Sequence, residues 1–320
     1  MKIIIAVMFL IVLVIWFPIF VSQAEVKNNE LQGRITISGA WALYPMAVKW
    51  AEEFKKIYPK VEIDISAGGA GKGMTDCLAK VADIGMVSRD IYPEEVSRGA
   101  WAISVTKDAV VPTINMNNPA INDILVRGVT QEEFQNIFVS GNIKTWGELL
   151  RSKVKEPINV YTRSDACGAA ETWAKYLGKK QEDLVGIGVY GDPGLTEAVK
   201  KDTLGIGYNN INYAYDPKTN RPIDGIRVIS IDINVDGRID EKEDFYSSRD
   251  NITAAIGEGR YPSPPARELY FVSYGRPENK VVRQFLSWVL SDGQKFVLET
   301  GYVNISKEKL AEGLKQIGDE

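Results

Sequence analysis

Three times between residues 35 and 173 the chain runs from a β-rich stretch through a turn of small residues straight into a helical pattern, and that repetition restricts the fold more than any other feature. The turns are Ser38-Gly39-Ala40-Trp41-Ala42, Gly68-Gly69-Ala70-Gly71-Lys72-Gly73 and Arg163-Ser164-Asp165-Ala166-Cys167-Gly168-Ala169. Strand-loop-helix units at this spacing line up in a mostly parallel sheet with helices on both faces. Each turn also sets the unpaired N–H groups of a helix start beside a loop with few side chains in the way, a ready seat for an anion. One such turn is ordinary punctuation between strand and helix. Three of them, one holding Arg163 and one followed by Arg89 in Val87-Ser88-Arg89, point to oxyanion binding.

Along the chain the patterns give a strand at Arg34 to Ile37, a helix at Pro45 to Ile57, a strand at Val61 to Ile65, a short helix at Met74 to Lys80 and a strand at Ile84 to Val87. Ala109 to Asn115 reads as an apolar strand leading into Asn117-Asn118-Pro119, where the chain is expected to cross between two domains. Thr130 to Phe138 opens with a Thr cap and Glu133 three residues on, a capping box. Strand Asn159 to Thr162, helix Ala170 to Leu177, strand Gly188 to Gly191, helix Gly194 to Lys200 and strand Gly205 to Tyr208 continue the alternation. The Pro-rich run Tyr261 to Pro265 marks a second boundary, followed by a strand at Leu269 to Ser273 and an amphipathic helix at Asn279 to Leu290. Two strands, near Ala109 to Asn115 and Leu269 to Ser273, are expected to form a hinge.

At 320 residues and 45% apolar content the chain can bury the cores of two domains. A net charge of −4 with no basic stripe argues against nucleic acid. Residues 1–24 are Lys2, an apolar run from Ile3 to Val21 and Ser22-Gln23-Ala24, the layout of a secretory signal peptide. The run is also long enough for an uncleaved membrane anchor. Either way the globular part lies secreted or periplasmic, or on the extracellular face of the membrane, and any membrane contact is through this segment. Histidine is absent, which excludes Ser-His-Asp and Cys-His nucleophiles and His-ligated metals. Cys77 and Cys167, both at helix starts, are open to pairing or to standing as separate thiols.

The glycine loop at 68–73 fails as a nucleotide phosphate loop, because Gly73 follows Lys72 where Ser or Thr is needed and Ser66 replaces the first glycine. Residues 232–243 do meet a pattern. Asp232, Asn234, Asp236, Gly237, Asp240 and Glu243 occupy positions 1, 3, 5, 6, 9 and 12 of a calcium loop, with the Arg238 carbonyl at position 7 and Ile239 at position 8. A strand precedes it, so a lone structural Ca²⁺ site is expected, one that stabilises the fold and does not switch it.

From about Arg34 to Ser306 the chain resembles the phosphate-binding subgroup of ABC-transporter substrate-binding proteins. The resemblance rests on Ser38-Gly39-Ala40, on the loop 68–73, on Ala82-Asp83-Ile84-Gly85-Met86-Val87-Ser88-Arg89, on Arg163-Ser164-Asp165 with Gly168, and on the closing segment that ends Glu299-Thr300-Gly301-Tyr302-Val303. It implies an α/β, two-domain periplasmic-binding-protein-like fold, each domain a mostly parallel sheet flanked by helices, with the ligand cleft between them. Domain I would comprise 33–110 plus 270–320, and domain II 111–269 with the calcium loop. Carried over, the anion site comprises Ala40, Trp41 and Ala42, then Ala70 and Gly71, then Ser88 and Arg89, then Arg163, Asp165, Cys167, Gly168 and Ala169. Where the family offers hydroxyls in these loops, this chain has Trp41 or Ala42, Ala70, Cys167 and Ala169. Each missing hydrogen bond to a charged ligand costs about 1.5–3 kcal/mol.

The resulting expectation is a non-catalytic extracytoplasmic protein that captures an inorganic oxyanion, phosphate first, and passes it to an ABC-transporter permease. Arg163 would be the main charged contact and Arg89 the second, with Asp165 orienting Arg163. The alternative is a signalling or adhesion module of the same fold that takes a larger or different ligand, with Trp41 as a wall of its site.

Overall fold

The computed structural model describes residues 31–318, so the segment 1–24 lies outside the described residues. Alternating apolar residues build β1 (Gly33–Gly39) and β2 (Val61–Ala67), and short apolar runs build β3 (Ile84–Val87), β5 (Asn159–Arg163), β6 (Ile187–Val189), β7 (Gly205–Asn210) and β8 (Ile226–Val228). Two longer strands, β4 (Ala100–Asn115) and β9 (Ala266–Tyr274), run through the middle. The order is β2-β1-β3-β9-β4-β7-β5-β6, with β8 alongside β4. Pairing is parallel in the outer trios, β1 with β2 and β3, and β5 with β6 and β7. The centre departs from the expected parallel sheet: β3–β9, β9–β4, β4–β7 and β4–β8 are antiparallel. β4 leaves one lobe and β9 returns to it, so the two must run in opposite directions.

Two hydrophobic cores lie on either side of that centre. The first gathers Trp50, Phe54, Phe271, Phe285 and Trp288 from 35–105 and 269–317; the second gathers Phe134, Phe138, Trp146, Trp173 and Tyr208 from 109–266, with Val303. On β4, Ile103 and Val105 belong to the first core and Ala109 to the second; on β9, Leu269 belongs to the first and Ala266 to the second. The chain therefore crosses at Thr106–Asp108 and at Arg267–Glu268, and not at Asn117-Asn118-Pro119. That turn serves the second lobe instead: the Asn118 side-chain amide donates to the Thr203 carbonyl, and Asn115, whose side-chain oxygen accepts from the Asn117 amide, donates to the Val199 and Lys200 carbonyls. The stretches Ala109–Asn115 and Leu269–Ser273 flank the crossing and do not form it.

Polar groups replace apolar ones at the crossing. Thr106 Oγ1 donates to the Val303 carbonyl, and Lys107 and Val303 exchange main-chain bonds. Arg267 pairs with Asp108 at 3.0 Å and also donates to the Gly168 carbonyl, to Thr172 Oγ1 and to Asn210 Oδ1, which ties β9 to the third junction. The helix of the second junction spans Ala70–Leu78 and begins four residues before the expected Met74. Gly73 is drawn into it by close packing, since a Cβ there would lie 2.5 Å from the Met86 carbonyl oxygen and 2.8 Å from the Gly39 Cα. Likewise the helix of the third junction is Gly168–Tyr176, and the capping box of Thr130 and Glu133 opens helix Gln131–Phe138. No helix among the described residues is long and apolar enough to cross a membrane.

Burial pushes the Asp108 carboxyl up to about 6, although Arg267 faces it. A carboxyl whose pKa is higher folded than unfolded contributes stability that is full below the unfolded value, about 4, and is lost as pH rises through the folded one. Urea unfolding of wild type between these limits should therefore contain a component that falls with rising pH. In Asp108→Asn that component should vanish; an unchanged pH slope would show that Asp108 titrates normally.

Candidate functional site

Arg163 is the last residue of β5, a strand flanked by β6 and β7, and its side chain has no exposed surface. The strand end is fixed from beneath by Tyr208, whose hydroxyl bonds Thr162 Oγ1 at 2.7 Å and accepts from the Arg163 amide at 3.3 Å. Asp165 takes the guanidinium side-on, Nε at 2.8 Å and Nη2 at 2.6 Å, while Nη1 meets Asp192 at 2.5 Å. Asp192, fully buried in the first turn of helix Gly191–Lys201, also accepts from the Asn210 amide, and Asp165 accepts from the Gly191 amide. Burial works against the charge of Arg163, but the neighbouring carboxylates outweigh it and hold its pKa above the ordinary arginine value. Of five guanidinium N–H groups, three are committed to carboxylates, which leaves one on each terminal nitrogen.

The three junctions converge on this group. Gly69 (φ +94°) has a conformation that suits glycine, and a Cβ there would lie 2.8 Å from the Ala166 carbonyl and 3.0 Å from Asp165 Oδ2, so the second junction rests directly on the third. The Gly71 amide, one of the expected anion donors, donates to the Ala166 carbonyl at 3.2 Å. Gly168 packs against Ser88 so closely that no side chain fits. Cys167 accepts from the Ala170 amide through Sγ at 3.4 Å and so caps the helix as a serine would; burial pushes its thiol up to about 12. Cys77, raised to about 11, donates to the Val272 carbonyl, and both cysteines are free thiols. Ala40, Ala42, Ala70 and Ala169 are all buried at or beside the starts of their helices, where they present backbone and methyl groups only.

Trp41 stands at the edge of the first junction and reaches the other lobe. Its ring lies edge-on to Tyr190 and Tyr213, with centroids 6.5 and 6.3 Å away, and tilted to Tyr44 at 6.3 Å. Its indole N–H is buried without a partner.

Arg89 lies beside this site and is taken up by carboxylates. Its guanidinium forks onto Glu95 at 2.9 and 2.6 Å, lies 4.4 Å over the Tyr92 ring, and reaches Glu171 of the second lobe at 3.3 Å. Lys175 and Asp90 form a parallel bridge at 2.5 Å. The reason is local: Glu95, six residues on in the following helix, offers a bidentate carboxylate. These pairs line the mouth of a groove of about 590 Å³ bounded by Gly71, Ala166, Cys167 and Lys179.

Asp192, Tyr190 and Tyr213 escaped the sequence reading, as did Glu171. A signal for the first two was present, since Tyr190-Gly191-Asp192-Pro193-Gly194 is a fourth strand-turn-helix junction. Nothing in the spacing marks Glu171, which matters only because helix Gly168–Tyr176 faces Arg89.

Known proteins share both the sequence and the fold. The chain is 24% identical to the phosphate-binding protein PstS of Methanocaldococcus jannaschii, covering 92% of this chain and 89% of that one, and 32% identical to PstS of Bacillus subtilis over 64% and 67%. Its fold matches a phosphate ABC transporter substrate-binding protein from Clostridium perfringens, solved with bound phosphate, at a TM-score of 0.69 and 23% identity over 86% of this chain and all of that one. An ABC-type phosphate transport receptor from Vibrio cholerae follows at 0.60 and 19%, over 85% and 100%. The family model of the PBP superfamily domain runs from residue 25 to 293, across all three junctions and both crossing strands, and the chain belongs to that superfamily.

Proposed function

We propose that the protein is an extracytoplasmic substrate-binding protein that captures phosphate between its two lobes and delivers it to the permease of an ABC importer. The observation that carries this reading is Arg163, held rigid by Asp165 and Asp192 where three helix-opening loops meet, with one N–H on each terminal nitrogen left over. Relatives named for phosphate binding support the choice of anion. Asp165 and Asp192 are both engaged with Arg163, an arrangement that serves binding and leaves neither as a free acid or base. A carboxylate here also accepts from a protonated oxyanion, which favours phosphate over sulfate. We propose two domains that follow the two cores, up to Val105 with Leu269 onward and Ala109 to Ala266, a few residues from the expected bounds 33–110 with 270–320 and 111–269, and residues 1–24 would carry the chain out of the cytoplasm.

Closure brings the loops together in this reading. The Gly71–Ala166 bond, the Arg89–Glu171 and Lys175–Asp90 pairs and the Trp41–Tyr190 contact all join one lobe to the other, and would part when the cleft opens. Arg89 thus acts as a latch and not as a ligand contact.

Calorimetry with phosphate, sulfate, molybdate and tungstate tests the site. Phosphate should bind one to one, and Arg163→Ala should weaken it by about a hundredfold or more, the equivalent of one or two charged hydrogen bonds. Phosphate binding that survives the change would remove Arg163 from the site. Binding of none of the four would favour a larger ligand beside Trp41.

Trp41→Phe keeps the ring and deletes the unpartnered indole N–H. If that group serves the anion, phosphate affinity should fall about tenfold with little loss of stability. Unchanged affinity would make Trp41 a packing residue between the lobes.

Glu171→Gln should weaken phosphate binding a few-fold without altering its stoichiometry, because only the closed form loses a charge pair. X-ray scattering should show a smaller radius of gyration with phosphate than without. Equal radii at saturation would exclude hinge closure.

A further inference from the structure

The loop 232–243 plays no part in the anion site, yet it carries one buried acidic oxygen that the fold leaves unsatisfied. Glu243 is 96% buried, since only 4% of its surface is exposed. Its Oε1 accepts from the amides of Ile233 and Asn234, at 2.8 and 3.0 Å, which pulls the carboxylate across the open end of the loop. Its Oε2 is buried with no hydrogen-bond partner. A buried carboxylate oxygen without a donor is costly, and a cation is the remedy that a loop of other carboxylates can hold. We propose that residues 232–243 bind one Ca²⁺, with Asp232, Asn234, Asp236, Asp240 and Glu243 supplying side-chain oxygens and Arg238 its main-chain carbonyl.

The backbone already has the shape this needs. Asp232, 3% exposed, accepts from the amides of Asp236 and Gly237 through separate oxygens, at 3.2 and 3.0 Å, and so winds the first half of the loop around itself. Gly237, at the sharp turn, has φ +80°. Among the described residues no three acidic or thiol side chains already converge as a finished cage. Asp236 and Asp240 instead accept from the loop's own amides, of Arg238 in one case and of Lys242 and Glu243 in the other. Binding must draw these two carboxylates inward, and that rearrangement lowers the affinity.

In place of a second calcium loop stands the end of helix Ile121–Arg127. Ile239 donates its amide to the Val126 carbonyl at 2.9 Å, Asp232 donates its own to Val129, and Ile231 pairs with Val129 as an isolated bridge. On the far side the loop leads straight into Phe245 and Tyr246 of the second core. The ion would thus clamp the segment before helix Gln131–Phe138 to that core, as a brace of the second lobe.

The test is calorimetry and thermal unfolding of the whole protein, stripped with EDTA and then titrated with CaCl₂ or MgCl₂. One Ca²⁺ should bind with a Kd of about 10⁻⁴–10⁻³ M, and 10 mM Ca²⁺ should raise Tm by roughly 2–5 °C. Mg²⁺ at the same concentration should give much less. Glu243→Gln should abolish the shift. Should that variant fail to fold, Asp236→Asn, at an exposed position, should weaken binding at least tenfold in a folded protein. A Tm that is the same in EDTA and in Ca²⁺, an equal shift from Mg²⁺, or a calcium shift that survives in the folded variants would each overturn the proposal.

Discussion

A guanidinium keeps its charge even with no exposed surface, so the loss of its hydration must be offset by partners, and the placement of Arg163 between Asp165 and Asp192 is the constraint on which the rest of this molecule turns. The triad reaches into three segments: the end of β5, the turn after it and the start of helix Gly191–Lys201. Removing any member would leave a buried charge uncompensated, so all three segments are held in one arrangement. Tyr208 beneath the strand and the Asn210 amide beside Asp192 extend the same network into β7. The second lobe thus presents its charged group as a fixed point.

The sheet decides where the lobes join. Among the described residues β4, β9 and the Val303 segment alone pass between the cores, and at the passage the residues are Thr106, Lys107, Asp108 and Arg267 in place of apolar ones. Polar groups satisfied by directional bonds hold strands together without interdigitating like core side chains, which suits the hinge proposed above. Arg267 links that place to the third junction through the Gly168 carbonyl, so the crossing and that loop are directly bonded. The cross-lobe pairs of Arg89 with Glu171 and of Lys175 with Asp90 join the lobes at the groove mouth, the second of them exposed and therefore weak.

The loss of loop hydroxyls acquires a structural explanation at two positions. Cys167 takes over the capping role of a hydroxyl residue, accepting from the Ala170 amide, while its raised pKa keeps it neutral beside Arg163. Trp41 spans to Tyr190 and Tyr213 and brings a donor of its own. For Ala42, Ala70 and Ala169 the structure shows buried methyl groups at helix starts and no compensating donor.

Local chemistry made part of this legible in the amino-acid order. Glycine-rich turns at strand ends, the Thr130–Glu133 box and the spacing of Asp232 to Glu243 follow from backbone conformations and hydrogen bonds that span only a few residues, so the sequence by itself determined the junctions, most helices and the shape of the calcium-type loop. The pairing of Arg163 with Asp165 belongs to the same class, two residues apart. Tertiary structure alone decided that Asp192 would complete the triad, that Arg89 would reach Glu171, that the Gly71 amide would meet Ala166, and that the chain would cross at Thr106–Asp108 instead of at the asparagine turn. Each of these joins residues whose separation along the chain says nothing of their distance in space, and each is settled by which partner the packed sheet brings nearest.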